Sequence, residues 1–197
     1  LKRSKPSPLD EAKWGLAVIE DSLWDTIPKV YKRLNDIFRK NLGKDLPRGY
    51  NPIKFGSWMG GDRDGNPNVT ADVTKKVILF SRWQAAKLYE KEITKLIQDL
   101  SMKECSTKIR KVTGSSFEPY RVYLRPIRDK IRSTHQLIEQ HLNNNKLLDE
   151  KKLLQDKNEI LQPLREVRES LILNRGQHIA NADLLDLIRR VRCFGIN

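Results

Sequence analysis

The stretch Phe55-Gly-Ser-Trp-Met-Gly-Gly-Asp-Arg-Asp-Gly-Asn-Pro-Asn-Val69 departs from everything around it, because it carries neither helical nor strand periodicity. Gly60, Gly61 and Gly65 fall within ten residues, and glycine permits positive φ and close backbone approach. Asp62, Arg63, Asp64 and Asn66 are side chains that hydrogen-bond a turn to itself. Trp58 and Met59 are large apolar groups that a surface loop does not ordinarily display. A self-bonded polar turn that presents a Trp is the composition of a rigid wall beside a pocket.

On either side of this loop, over 55–69, the pattern is helical. Upstream, Ser7-Pro8-Leu9-Asp10-Glu11 places a cap, a first-turn Pro and two acids where a helix begins. Leu16, Ile19, Leu23, Ile27, Val30, Tyr31, Leu34 and Phe38 then recur at three- and four-residue steps, predicting a helix over 8–41 that ends at Gly43. Pro28 lies inside it and is expected to kink or restart it. Downstream, Thr70 and Asp72 open a second helix, expected over 70–102 with more than one face covered. Further helices are predicted over 118–142, 157–174 and 182–192, with Pro126 a candidate kink in the first of these. Residues 103–117 read as polar with Gly114-Ser-Ser a flexible connection, Asn143-Asn-Asn as a linker, and Cys193-Phe-Gly-Ile-Asn as the start of something extended. The expected fold class is all-α: long helices, one Gly-rich loop, no strand pair and no internal repeat, treated as one unit over 1–197.

Composition sets outer limits. Hydrophobic residues make up 38% and charged residues 32%, the balance of amphipathic helices with wide solvated faces. No apolar run reaches the ~18 residues of a membrane span. Leu1-Lys-Arg-Ser-Lys-Pro does not resemble a signal peptide and reads as the interior of a longer chain, in keeping with the missing initiator Met. Cys105 and Cys193 are too few for a disulfide scaffold and are expected to be free thiols in a reducing cytoplasm. The net charge of +13 admits a polyanion partner such as nucleic acid, which makes a basic helical binding module the competing function. However, the basic residues interleave with acids and not with aromatics, so solvated helix faces explain them better and nucleic acid is not the favoured partner.

Sharper motifs fail on spacing. Asp62, Asp64 and Asn66 imitate half of a calcium loop, but Gly65 comes too early and Val73 stands where the closing Glu belongs. No Gly-Lys-Ser/Thr follows the glycines, so the loop is not a P-loop. Asn68-Val-Thr70 has the form of a glycosylation sequon, which is irrelevant in a cytoplasmic protein. His135, His141 and His178 have no metal-ligand or nucleophile spacing, and no enzyme mechanism assembles from these residues alone.

The run 55–70 resembles the S-W-M-G-G-D-R-D-G-N-P-x-V-T signature of the phosphoenolpyruvate carboxylases. Pro6-Ser-Pro-Leu-Asp-Glu with Gly15 and Trp24, Leu79-Phe-Ser-Arg-Trp, Leu100-Ser-Met, Glu118-Pro-Tyr-Arg121 and the stretch 184–195 agree with that family in order and spacing. The resemblance covers essentially the whole chain and is weakest over 103–117 and 143–165. It implies a piece, of bacterial type, of a cytoplasmic, homotetrameric, magnesium-dependent enzyme built on a (β/α)8 barrel with many added helices. That enzyme converts phosphoenolpyruvate and bicarbonate to oxaloacetate and phosphate, through an enolate and carboxyphosphate that water would destroy. A dry wall then has a purpose, and the resemblance gives that place, at the bicarbonate or carbon dioxide pocket, to Trp58. It also implies a sugar-phosphate activator bound by arginines, matched by Arg121 and by the Lys2-Arg3 pair, where Lys2 departs from Arg and offers a point charge in place of a fork. The family's catalytic His, mobile loop, magnesium carboxylates and inhibitory site match nothing here, so the chain alone is expected to be inactive.

Overall fold

A computed structural model describes residues 6–47, 49–144 and 146–196. Among these, every regular element is helical and none is a strand. Ser7 opens α1 (Pro8–Val18) with a reciprocal capping box to Asp10. A π-turn (Ile19–Leu23) leads without interruption into α2 (Trp24–Leu42), which Gly43 closes in the left-handed conformation. The break in this long helix is therefore the π-turn, a few residues before the expected site at Pro28. Its one extra residue shifts the helical phase, so Trp24 is buried and Leu23 only half-buried, against the simple stripe. Pro28 still leaves its mark: it has no N–H for the carbonyl of Trp24, and Arg190 Nε donates to that oxygen at 2.9 Å instead. Similarly, Gln84 Nε2 donates to the Leu16 carbonyl just before the π-turn, at 3.0 Å.

Thr70 caps α3 (Ala71–Asp99), and α5 (Pro119–Asn144) runs antiparallel against it in the longest helix–helix contact of the fold. Arg121 at the start of α5 bonds the carbonyls of Ile97 and Gln98, while Ile138 near its end packs with Leu79. Pro126 sits inside α5 without ending it. Between them lies α4 (Thr107–Thr113), in a stretch that the sequence marked only as polar. Ser106 caps it and Ile109 is fully buried, one apolar residue sufficing to dock a helix too short to show a period. A 3-10 turn (Glu150–Lys152) precedes α6 (Asn158–Leu173), followed by a single turn, α7 (Gln177–Ala180), and α8 (Asp183–Phe194). The end of α8 is helical through Phe194 and turns at Gly195, where an extended segment was expected.

In the main core cluster Tyr89, Ile93 and Leu96 of α3 meet Leu124 and Ile131 of α5, Leu164 and Val167 of α6, and Leu187 and Val191 of α8. Against it lies a polar node. Arg190, almost fully buried, lies over the Trp24 ring and pairs with Glu92 (3.0 Å) and Asp25 (2.9 Å), while Trp24 Nε1 donates to Glu92. Arginine suits this place because its planar fork bonds in several directions while its face stacks on an aromatic ring.

Candidate functional site

Between α2 and α3 the residues 49–70 lead into the signature loop, and the C-terminal end of α8 holds their first part. Phe55 N–H donates to the Cys193 carbonyl at 3.0 Å, Asn51 Nδ2 reaches the Arg192 carbonyl at 3.4 Å, and the Tyr89 hydroxyl donates to the Gly195 carbonyl at 2.6 Å. Carbonyls that a helix end leaves without partners are thereby satisfied by the loop and by α3. The Phe55 ring stacks on Phe194 at 4.7 Å, Phe194 stacks on Trp24 at 5.4 Å, and Trp24 meets Tyr89 at 5.3 Å. The loop thus enters its signature along a chain of aromatic rings rooted in the core.

Beside this entry the Cys193 thiol is buried, 3.5 Å from the Tyr31 hydroxyl, which itself donates to Asn51 Oδ1 at 2.7 Å. Burial pushes the Cys193 thiol up, so it stays protonated and unreactive. Burial likewise raises the Tyr31 phenol, helped by the hydrogen bond to Cys193. Neither group is set up as a nucleophile.

The signature consists of two turns pinned at three points. Gly61 and Asp62 N–H both donate to the Trp58 carbonyl, at 2.9 and 3.0 Å, and Met59 N–H donates to Ser57 Oγ at 3.2 Å. Met59 packs onto α1 at Gly15, where a Cβ would come within 2.3 Å of the methionine Cε. Gly60 is buried against α3: its φ of 72° is left-handed, a Cβ there would lie 2.6 Å from Val77 Cγ2, and its carbonyl accepts from Thr74 Oγ1 at 2.6 Å. In the second turn Asn66 N–H donates to the Arg63 carbonyl at 2.7 Å, and Asn66 Oδ1 accepts from Asn68 N–H at 3.0 Å. Asp64 N–H faces Asp62 Oδ1 at 3.4 Å, and Gly65 follows at φ 75°. Val69 is buried, which completes the anchorage. The acids and amides therefore bond the turns, as their composition suggested.

Trp58 is not one of the anchors. Its side chain is 75% exposed, at the tip of a loop whose neighbours on both sides are fixed. A cleft of about 450 Å³ opens beside the loop, between Phe55, Ser57 and Met59, the 77–81 side of α3, residues 155–157 and the turn at 194–196. Trp58 is not part of its lining. The far wall, 155–157, lies about a hundred positions from the loop in sequence, and nothing in local spacing announces it.

The other candidate residues are dispersed. Arg121 caps α3, with Nε to the Ile97 carbonyl at 2.9 Å, one terminal nitrogen to the Gln98 carbonyl at 2.6 Å and the other to Glu118. Lys2 and Arg3 lie outside the described residues. Among the described residues no group of three or more His, Cys, Asp or Glu side chains is placed to hold a metal ion. No helix among them is long and apolar enough to cross a membrane. Some of the basic side chains serve the fold in ion pairs between helices, such as Lys95–Asp183, Lys108–Glu166 and Arg132–Glu90.

The family model described as phosphoenolpyruvate carboxylase matches residues 1–197. The chain is 43% identical over 197 residues to a phosphoenolpyruvate carboxylase of Haemophilus influenzae (strain 86-028NP), and 45% identical over 197 residues to one of Acinetobacter baumannii. It is 44% identical over 198 residues to another of Escherichia fergusonii. Each match takes in 100% of this chain and 22% of the relative, so the chain spans about a fifth of the length of these proteins. With a family model matched from end to end and relatives of this identity on an all-helical body that pins the signature loop, the chain belongs to the phosphoenolpyruvate carboxylase family.

Proposed function

We propose that this chain supplies the wall that keeps water from the carboxylation step of a phosphoenolpyruvate carboxylase, and that Trp58 is that wall. The observation that carries the reading is the exposure of Trp58 at the tip of a loop immobilised on both sides. An exposed indole normally costs solubility, and fixing its backbone this firmly serves a contact made outside the described residues. The reaction joins phosphoenolpyruvate and bicarbonate into oxaloacetate and phosphate in a cytoplasmic, homotetrameric enzyme. An apolar ring over the bicarbonate or carbon dioxide site shields the enolate until it captures carbon dioxide.

The family's magnesium polarises the reacting oxygens when bound. The described residues offer no cluster to hold it, so no step is derived through it and its ligands are assigned elsewhere in the full-length enzyme. For the sugar-phosphate activator, Arg121 uses three of the five N–H donors of a guanidinium on Ile97, Gln98 and Glu118. Two remain to meet a phosphate, with Lys2 and Arg3 as the companion charges.

Two measurements test this reading. The purified 197-residue chain, assayed with magnesium and a coupled oxaloacetate readout, is expected to form none; measurable turnover refutes its dependence on the remaining chain. In the full-length enzyme, Trp58→Ala should release phosphate in excess of oxaloacetate, because water then intercepts the intermediates, whereas Trp58→Phe should keep the two nearly equal. An unchanged ratio in Trp58→Ala removes the indole from the reaction.

A further inference from the structure

Thr74, in the first turns of α3, stands beside the turn that carries Trp58. Its hydroxyl donates to the Gly60 carbonyl at 2.6 Å. A competing acceptor, the Thr70 carbonyl, lies at 3.2 Å, but that oxygen already receives Thr74 N–H at 3.0 Å. A hydroxyl has one proton to give, and the shorter contact, to the carbonyl of a buried glycine, takes it.

This bond acts on Trp58 through the far end of the same peptide unit. The Gly60 carbonyl and Gly61 N–H belong to one planar group and point in opposite directions. Holding the carbonyl on α3 therefore turns Gly61 N–H toward the Trp58 carbonyl, which it meets at 2.9 Å beside Asp62 N–H at 3.0 Å. Glycine stands on both sides of this peptide, so no Cβ opposes its rotation. Gly61 and Asp62 are exposed, so packing does not resist the rotation on that side either. The contacts of Met59, its side chain seated against Gly15 and its N–H bonded to Ser57 Oγ, fix the residue before the glycines and leave the 60–61 peptide free to turn.

We propose that Thr74 is a positioning residue for Trp58: its hydroxyl selects the orientation of the Gly60–Gly61 peptide, which closes the turn and fixes the indole where it excludes water. This role rests on the function given to Trp58 above, and it names the group through which α3 controls that residue. Thr74 acts through the loop backbone and not on a reactant.

The test uses the full-length enzyme. Thr74→Val keeps the shape of the side chain and removes the hydroxyl. Amide exchange of the segment 58–62, followed by mass spectrometry, should become about threefold to tenfold faster, the net worth of one hydrogen bond. The ratio of phosphate to oxaloacetate should rise to a value between those of the parent enzyme and Trp58→Ala. Thr74→Ser, which keeps a hydroxyl, should return both readouts to the parent values. Gly61→Ala separates positioning from stability. The φ of Gly61 lies outside the left-handed region and a Cβ there would meet the Trp58 carbonyl at an ordinary 3.5 Å, so alanine is compatible with the closed turn and restricts rotation about its own φ. Added to Thr74→Val, it should bring the ratio back toward the parent value, which a hydroxyl needed only for stability would not show. Thr74→Val added to Trp58→Ala should change the ratio no further. Unchanged exchange in Thr74→Val overturns the latch, and faster exchange with an unchanged ratio overturns the positioning role while Trp58 stands. A further rise in the double variant with Trp58→Ala places the action of Thr74 elsewhere and overturns it too. An unchanged ratio in Trp58→Ala alone removes the wall itself, so that failure is read separately. If the valine variant fails to fold, Thr74→Ala, the better helix former, removes the same hydroxyl and is read in the same way.

Discussion

Replacing Arg190 by Met tests whether the fold depends on an arginine standing in for the N–H that Pro28 lacks. The native guanidinium donates to the Trp24 carbonyl and pairs with Glu92 in a setting where the arginine is about a tenth exposed. Methionine fills similar volume, so the loss is mainly polar. The Trp24 carbonyl loses its partner, worth about 1–3 kcal/mol for a buried acceptor. Glu92, about a fifth exposed, keeps only Trp24 Nε1 at 3.3 Å, which adds about 1–2 kcal/mol for a partly buried carboxylate stripped of its cation. Asp25 is largely exposed and contributes little. The sum is about 2–5 kcal/mol, read from urea unfolding followed by circular dichroism at 222 nm. Pro28→Ala then serves as the internal control, because an alanine at that position supplies the N–H that proline cannot. In that background Arg190→Met should cost about 1–2 kcal/mol less. An identical cost with and without Pro28 would show that the arginine acts by charge or packing alone.

Three other perturbations probe the loop and the ionisable groups. Gly60→Ala meets both a left-handed φ and Val77 at 2.6 Å, and should destabilise by about 1–3 kcal/mol in the same assay, whereas Trp58→Ala, being exposed, should stay within about 0.5 kcal/mol. Equal effects would mean that the indole is an anchor after all. Glu90, Glu159 and Glu166 are each pushed up by burial but lowered on balance, by Arg132 and His135, by Lys130 and two backbone N–H groups, and by Lys108, Tyr123 and Gln162 respectively. Their folded values lie below the ordinary 4.5, so their stabilisation is complete above that pH and is lost as pH falls through the depressed values. Urea midpoints should therefore be level from pH 7 to about 5 and drop below about 4.5, a drop that Glu90→Gln makes shallower. Finally, Cys193 should resist a thiol reagent at pH 8 until the chain is unfolded; rapid labelling in the folded state would contradict its burial and raised thiol.

Much of this protein was legible in its residues. Long amphipathic stripes, Ser7 and Thr70 as caps and Gly43 as a stop define α1–α2 and α3 because they act over one or two turns, the range in which sequence neighbours are spatial neighbours. The loop was legible for the same reason: its turns are closed by its own Ser57, Asp62 and Asn66, so composition predicts rigidity. Helix α4 was not, since a seven-residue helix has too few turns for a periodic signal and is held by Ile109 and by Ser106 N–H bonded to Ser170 of α6.

Tertiary structure alone decided the rest. Whether Pro28 breaks its helix depends on Arg190, which lies 166 positions beyond Trp24 and takes its orphaned carbonyl, so the helix continues. The π-turn that rotates Trp24 inward has no pattern of its own; it is tolerated where Gln84 reaches the Leu16 carbonyl and Tyr89 and Phe194 receive the indole. The gathering of Arg165 and Arg168 of α6 with Arg192 of α8 at one cleft is likewise invisible along the chain, where more than twenty residues separate Arg168 from Arg192. Local sequence specifies what a segment bonds to within a few residues, whereas a partner for a freed carbonyl comes from whatever helix the packed core brings alongside.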